Sequence, residues 1–166
     1  MYEHVEDVEC PDYYCFGGFH PVHIGDTLGA RYRIVHKLGY GSFSTTWLAR
    51  DNHLQEYVAV KVGTAKSDTK EIDVMAQLAS KNETRALISP VLDRFHIQGP
   101  NGAHPCLITT PARCSLAAAK DSYGIFRPDV SRSLAAQLVM AVACMHDHGY
   151  VHGGKFLCCT IYALGG

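Results

Sequence analysis

The stretch that decides the fold is a glycine-rich turn, Leu38-Gly39-Tyr40-Gly41-Ser42-Phe43-Ser44-Thr45-Thr46-Trp47. Glycine lets a backbone pass close to phosphate oxygens and present its N–H donors, because no Cβ stands in the way. Taken alone, the glycines have a simpler explanation as a plain hairpin turn. The residues that follow favour a phosphate-binding turn of the kind that joins two strands, since the glycines of a dinucleotide-binding fold open a helix instead.

A lysine ends the next strand-like run, Val58-Ala59-Val60-Lys61. An amine at the end of an apolar strand costs desolvation free energy unless it meets an anion, although a surface lysine on an edge strand would avoid that cost. Glu71 follows in a run with helical spacing and offers a carboxylate partner. The order of glycine-rich turn, strand lysine and helical glutamate is a specific combination for holding phosphate.

Residue patterns around these motifs predict an antiparallel sheet of five strands. The predicted strands cover residues 31–38, 45–50, 56–62, 86–97 and 106–110. A helix is predicted at 67–80 from the spacing of Ile72, Met75 and Ala79, with Asp68 and Glu71 as a capping box. A second helix is predicted at 130–148, and its apolar stripe consists of Leu134, Leu138, Val142 and Met145, with Gly149 as its C-terminal stop.

The composition is that of a globular protein, with 47% apolar and 19% charged residues and a net charge of -1. Such a balance argues against disorder and against binding nucleic acid or membrane by bulk charge. Seven cysteines without a Cys-x-x-Cys pair indicate reduced thiols, and therefore the cytoplasm or nucleus. The acidic N-terminus is not expected to be a signal peptide, and no apolar run is long enough to span a bilayer.

Residues 1–30 are rich in Gly, Pro, His and acidic residues and are predicted to form an extended arm. A zinc module in this arm is an alternative, with Cys10, Cys15, His20 and His23 as ligands, but their spacing matches no common site. We therefore expect no metal site. The alternation of Arg31, Arg33 and Lys37 indicates a solvated strand face.

The chain resembles the eukaryotic-type protein kinases, and within them the SR-protein-kinase-like group. Three stretches carry the narrower resemblance: Tyr14-Cys15-x-Gly17-Gly18-Phe19-His20-Pro21-Val22-x-Ile24-Gly25-Asp26, Lys37-Leu38-Gly39, and Phe43-Ser44-Thr45-x-Trp47-Leu48-Ala49-Arg50-Asp51. Ser44 replaces the third glycine of the general kinase loop, as it does in that group. The resemblance implies an α+β fold: residues 31–112 as a kinase N-terminal lobe with its hinge, 113–153 as the start of the helical C-terminal lobe, and 154–166 as a divergent tail.

The resemblance also implies a site for ATP. Residues that would contact the nucleotide are Gly39, Tyr40, Gly41, Ser42, Phe43, Ser44, Thr46, Ala59, Lys61, Thr109, Thr110 and Ala112. Lys61 and Glu71 would form the phosphate-orienting pair, and Met75 would belong to the hydrophobic spine. Thr46 stands where a valine usually packs on adenine, and Thr109 occupies the gatekeeper position.

The catalytic loop departs from the kinase pattern. The loop residues are His152-Gly153-Gly154, with Gly154 where the catalytic Asp is expected and Cys159 where a magnesium-binding Asn is expected. No Asp-Phe-Gly follows, so the magnesium ligands of intact kinases are absent and we expect no catalysis. A misread exon boundary or early stop would explain the tail, and a selected short product is the alternative.

Two functions are compatible with this sequence. The first is an ATP-binding fragment of a serine/threonine protein kinase that is inactive as it stands. The second is a non-catalytic, pseudokinase-like interaction or scaffold protein. Because the helix at 130–148 would keep little of its lobe, we also expect an exposed apolar patch there that binds a protein partner.

Overall fold

The computed structural model describes residues 9–67, 73–74, 77–78, 89–112, 114–115, 119–121, 124–151 and 160–161. The chain divides into two compact units. The first contains Met1–Asp73 and Val91–Pro111, and the second contains Val74–Pro90 and Ala112–Gly166. The first unit carries the sheet and the second carries the long helix.

The first unit is built on a six-stranded antiparallel sheet whose strand order is β1-β2-β3-β4-β6-β5. Its strands are β1 (Thr27–Leu28), β2 (Tyr32–Gly41), β3 (Ser44–Asp51), β4 (Tyr57–Gly63), β5 (Val91–Gly99) and β6 (Gly102–Thr109). All five predicted strands are therefore confirmed, and β1 is an addition at the edge. The α+β fold class with an antiparallel sheet is confirmed.

One face of the sheet carries the hydrophobic core, because side chains alternate between the two faces of each strand. On β3, for example, Trp47 and Ala49 are buried while Leu48 between them is only half-buried. The buried core cluster consists of Val22, Leu28, Tyr32, Ile34, Trp47, Ala49, Val58, Val60, Val62, Cys106 and Ile108.

The N-terminal segment differs from the predicted extended arm. It contains a short 3-10 helix, Pro11–Tyr13, and then strand β1. Val22 and Leu28 belong to the core cluster, so the segment packs on the sheet instead of extending away from it. Residue 30 is consequently not a boundary between compact units. Sequence patterns missed this because the segment uses turns and long-range contacts that have no local period.

Strand β6 begins at Gly102, four residues before the predicted start at Cys106. Gly102 and Pro105 lowered the strand signal, since proline cannot donate a ladder hydrogen bond. The structure tolerates Pro105 because β4 pairs with β6 only from Cys106 onward. Strand β5 begins at Val91, whereas the prediction began at 86; residues 86–88 lie outside the described part of the chain.

The second unit contains helix α1, Pro128–Asp147, which confirms the predicted helix with a start two residues earlier. Gly149 has a φ of 78°, a conformation in which glycine avoids the steric penalty of a Cβ. The N–H groups of Gly149 and Tyr150 donate to the carbonyls of His146 and Met145. These two bonds form a Schellman cap, so the predicted C-terminal stop is confirmed.

Helix α1 has no buried residue. The predicted stripe, namely Leu134, Leu138, Val142 and Met145, is half-buried. The most exposed large apolar residues of the helix are Val139 at 66% and Met140 at 56%. Among the described residues, no helix has the length and apolarity needed to cross a membrane.

The other short elements are partly outside the described residues. Residues 73–74 and 77–78 are helical and lie within the predicted helix at 67–80. Strand β7 (Cys114–Ser115) pairs with β8 (Thr160–Ile161). This pairing was not predicted, because the sequence of the tail has no periodic pattern. The residues on which the prediction of the first helix depended lie outside the described part of the chain: Asp68, Glu71, Ile72, Met75 and Ala79.

Candidate functional site

The glycine-rich turn is the closed end of the β2–β3 hairpin. Gly41 pairs with Ser44 and Gly39 with Thr46, so Ser42 and Phe43 form a two-residue turn. The Phe43 side chain is 72% exposed. The Phe43 carbonyl oxygen accepts hydrogen bonds from Thr64 N at 2.9 Å and Ser67 Oγ at 3.1 Å. The turn is thus attached through its backbone to the segment after β4, while its side chains remain accessible.

Open space borders the two glycines of β2. Among the residues that the structure describes, none would lie within 4 Å of a Cβ placed on Gly39 or Gly41. At Gly63, in contrast, a Cβ would lie 2.9 Å from the side chain of Pro105. Packing therefore requires glycine at 63 but not at 41, and the space beside the turn can admit a ligand. Gly39 has a φ of 158°, which disfavours other residues.

Four predicted residues lie on one face of the sheet. Thr46 pairs with Lys61, and Lys61 pairs with Leu107 on its other side. In the neighbouring row, Leu48 pairs with Ala59, which pairs with Thr109. Residues directly opposite each other share a face. Lys61, Ala59, Thr46 and Thr109 therefore form one surface, opposite the face that carries the hydrophobic core.

This surface combines an apolar floor with one cation. Ala59 is 7% exposed and Leu107 is 3% exposed, so both are buried. Thr46, Lys61 and Thr109 are half-buried. A flat apolar group can lie on such a floor, and an anionic group can meet the amine at its end. We name Gly39, Gly41, Thr46, Ala59, Lys61, Leu107 and Thr109 the site face.

The remaining predicted site residues lie in the hairpin, after the end of β6, or outside the described part of the chain. Tyr40 and Ser42 are exposed and Ser44 is half-buried, all in the hairpin. Thr110 and Ala112 are half-buried after the end of β6; Thr110 belongs to the first unit and Ala112 to the second. Glu71, Met75, Gly154 and Cys159 lie outside the described residues, so the predicted Lys61–Glu71 pairing stays a prediction.

The predicted solvated face of β2 is wrong at two of its three residues. The Arg31 guanidinium bonds the carboxylate of Asp51 at 2.9 and 2.7 Å. Lys37 bonds the buried carboxylate of Glu9. Only Arg33 is exposed. The sequence carried no local signal for these pairs, because their carboxylates lie 20 and 28 residues away.

The arm residues do not form a metal site. Within residues 9–67 and the other described segments, no group of three or more His, Cys, Asp or Glu side chains is arranged to hold a metal ion. Cys10 and Cys15 are exposed free thiols. The ring of His20 packs against that of His104, with 4.9 Å between the centroids. His20 therefore has a packing role.

Comparisons with curated proteins identify kinases. The chain is 39% identical over 111 residues to human SRSF protein kinase 3, covering 62% of this chain. It is 31% identical over 144 residues to a serine/threonine protein kinase of Aspergillus fumigatus, covering 81% of this chain. It is 32% identical over 158 residues to the serine/threonine-protein kinase spk-1 of Caenorhabditis elegans, covering 89% of this chain. The chain belongs to the serine/threonine protein kinase family, in its SR-protein-kinase-like group.

The shared region is a minor part of these kinases, since it spans 20%, 36% and 16% of the human, fungal and nematode relatives respectively. No protein-family model matches the chain. Among solved structures, a crystal structure of a kinase domain matches with a TM-score of 0.65 and 20% identity, covering 77% of this chain and 38% of that one. At 20% identity, this structural match supports the kinase fold alone.

Proposed function

We propose that this chain binds ATP on the site face as the nucleotide-binding part of a serine/threonine protein kinase. The observation that carries the proposal is the strand register, which aligns Gly39, Thr46 and Lys61 across three adjacent strands. The space beside the turn fits a phosphate group, because no atom of the described part of the chain lies within 4 Å of a Cβ added at Gly39 or Gly41. Family membership supports the same assignment.

Each part of the site face has a distinct role in this proposal. The backbone at Gly39 and Gly41 approaches the phosphates, which a Cβ would obstruct. The amine of Lys61 meets the negative charge of the phosphates, and Glu71 orients that amine. Ala59 and Leu107 provide the apolar floor for adenine, and Thr109 borders that floor beside Ala59. Phe43, exposed at the turn, shields the bound phosphates from water.

We further propose that this chain does not transfer phosphate. The proposal rests on Gly154, which has no carboxylate to accept a proton from a substrate hydroxyl. Cys159 offers a thiol where magnesium prefers oxygen ligands. In the intact family, ATP with magnesium would phosphorylate Ser or Thr hydroxyls of proteins in the cytoplasm or nucleus. Incubation with ATP and a general protein substrate should yield no phosphoprotein; transfer above background would contradict inactivity.

Titration with fluorescently labelled ATP tests nucleotide binding. Lys61→Ala should raise the dissociation constant at least about tenfold, since losing a charge-assisted contact costs about 1.4 kcal/mol or more. Arg33→Ala is the matched control, because it removes an exposed cation from the same sheet far from the turn, and it should change affinity less than twofold. Equal affinities of the wild type and Lys61→Ala would contradict the proposed site.

A second candidate function is a non-catalytic interaction protein. It is favoured by helix α1, which carries exposed Val139 and Met140 and no buried residue. Exposed apolar side chains of this kind mark protein contacts. The two functions differ in nucleotide affinity, because a scaffold needs neither Lys61 nor the glycines. Absence of ATP binding by the folded wild type would favour the scaffold.

A further inference from the structure

A buried ion pair lies behind the glycine-rich turn, on the core side of the sheet. The side chain of Glu9 is 2% exposed and that of Lys37 is 27% exposed. Both carboxylate oxygens of Glu9 accept hydrogen bonds from Lys37 Nζ, and Oε1 also accepts one from the Tyr14 hydroxyl. A carboxylate buried to this degree is strongly destabilising unless it is paired. The contact therefore fixes the N-terminal segment to β2 at Lys37.

The pKa shifts of Glu9 and Tyr14 are consistent with the hydrogen bonds in this cluster. Burial raises the pKa of Glu9, but the hydrogen bonds from Lys37 and Tyr14 outweigh burial and keep that pKa below its usual range. Burial and the neighbouring Glu9 raise the pKa of Tyr14. At neutral pH, the Glu9 carboxylate is thus charged and the Tyr14 phenol is neutral.

The Lys37 amine also contacts both strands of the hairpin. Its Nζ lies 5.3 Å from the ring centroid of Trp47 on β3 and 5.9 Å from that of Tyr40 on β2. Cations are attracted to aromatic faces at such distances. The Trp47 Nε1–H donates to Thr45 Oγ1 at 2.9 Å, and Thr45 is fully buried. Tyr40 and Thr45 pair across the hairpin. They are the next pair away from the turn after Gly41 and Ser44, which close it.

Lys37 lies at a position in β2 that can determine the direction of the glycine-rich turn. The pairing register of β2 and β3 shifts between Lys37 and Gly39, which marks an irregularity of the bulge type. Bulges increase local twist and redirect the strand that follows. The strand that follows consists of Gly39, Tyr40 and Gly41, the backbone of the proposed phosphate contact. Holding the last residue before the shift therefore sets the direction of the glycine-rich turn.

We propose that Glu9 and Lys37 are positioning residues for nucleotide binding: Glu9 holds Lys37 against Tyr40 and Trp47, and this fixes the glycine-rich turn over the site face. The inference rests on the proposed function. Coupling between two sites is reciprocal. Bound nucleotide therefore stabilises the docked N-terminal segment by the same factor by which docking raises nucleotide affinity.

Three variants separate positioning from general stability. Glu9→Gln keeps the size of the side chain and removes its charge, whereas Glu9→Asp keeps the charge and serves as the conservative variant. Asp51→Asn is the matched control, because it removes the carboxylate of the hairpin's other buried ion pair, at the end remote from the turn. All measurements are made on the whole chain at a temperature where every variant is folded by circular dichroism.

The first measurement needs no nucleotide. Hydrogen exchange of the backbone amides at 39–46 should accelerate at least about fivefold in Glu9→Gln. It should stay within about twofold of wild type in Asp51→Asn, and Glu9→Asp should recover slower exchange. Unchanged exchange at 39–46 in Glu9→Gln would overturn the positioning role whether or not ATP binds.

The second measurement uses fluorescently labelled ATP. Its dissociation constant should rise about five- to tenfold in Glu9→Gln and less than twofold in Asp51→Asn. ATP should also slow amide exchange at 10–20 in the wild type and not in Glu9→Gln. Equal ATP affinity of wild type and Glu9→Gln would overturn the inference. A wild type that binds no ATP would contradict the proposed function instead, and the exchange comparison without ATP would still decide whether Glu9 holds the turn.

Discussion

The two ends of the β2–β3 hairpin are built differently. At the open end, Arg31 bonds the carboxylate of Asp51 and its guanidinium lies 5.1 Å from the ring centroid of Tyr32. The Tyr32 ring stacks on Phe95 at 5.6 Å, and its hydroxyl donates to Asp93 at 2.6 Å. At the closed end, Gly41 borders open space.

The difference shows that, within one pair of strands, the residues that stabilise the fold lie at one end and those proposed to bind a ligand lie at the other. Buried, mutually satisfied groups at the open end stabilise the fold, since removing any one leaves a cavity or an unpaired charge. At the closed end, Gly39 and Gly41 border space that is open among the described residues, and this space is available to the proposed ligand. Substitutions at the open end should therefore change the free energy of unfolding, and those at the closed end should change binding.

The largest expected effect is that of Tyr32→Ala. It removes a side chain that is 2% exposed, and the free energy of unfolding should fall by about 3–5 kcal/mol. Denaturant unfolding followed by the fluorescence of Trp47, the single tryptophan, reports on the first unit. Tyr32→Phe keeps the ring and should cost only about 1–2 kcal/mol through the lost hydrogen bond to the Asp93 carboxylate. Equal costs for the two variants would show that the ring packing contributes little.

The next effect is that of Asp51→Asn, which should cost about 2 kcal/mol at neutral pH by leaving Arg31 without its carboxylate. The hydrogen bonds from Arg31 lower the pKa of Asp51 to about 2, from 3.8. A carboxyl whose pKa is lower in the folded state stabilises it above the unfolded pKa, and that contribution is lost as pH falls through the folded pKa.

The stability difference between wild type and Asp51→Asn should therefore be constant above pH about 5 and shrink between pH about 4 and 2. Urea unfolding measured at several pH values checks this. A difference that remains constant down to pH about 2 would show that Asp51 titrates normally in the folded protein.

The smallest effect on stability is expected for Gly41→Ala. The added Cβ meets no atom of the described segments within 4 Å, and alanine restricts the unfolded chain, so stability should stay constant or rise by up to about 1 kcal/mol. ATP affinity should nevertheless fall about tenfold, because the methyl group enters the space proposed for phosphate.

Gly63→Ala is the control for the opposite behaviour. Its Cβ would lie 2.9 Å from Pro105 Cγ, so it should lower the free energy of unfolding by about 1–3 kcal/mol through overpacking. If the Gly41→Ala variant keeps full ATP affinity, the proposed contact between phosphate and the closed end of the hairpin is wrong.

Sequence reasoning succeeded where the signal was local. Strands β2, β3 and β4 followed from β-branched and aromatic runs, and the Gly149 cap followed from a single residue type at a helix end. It failed where a residue's partner was distant. Lys37 and Arg31 looked like solvated cations because nothing near them in the chain showed that Glu9 and Asp51 would be buried against them.

The sequence by itself determined the kinase family, the order of the strands along the chain and the residue types of the proposed nucleotide site, since these depend on short motifs and on periodicity. Only the tertiary structure decided which face of the sheet these residues share, how the N-terminal segment packs, and which charges are buried. The physical reason is that strand register and ion pairing are set by contacts across the whole unit. Tyr32 and Asp93, for example, are hydrogen-bonded although 61 positions separate them.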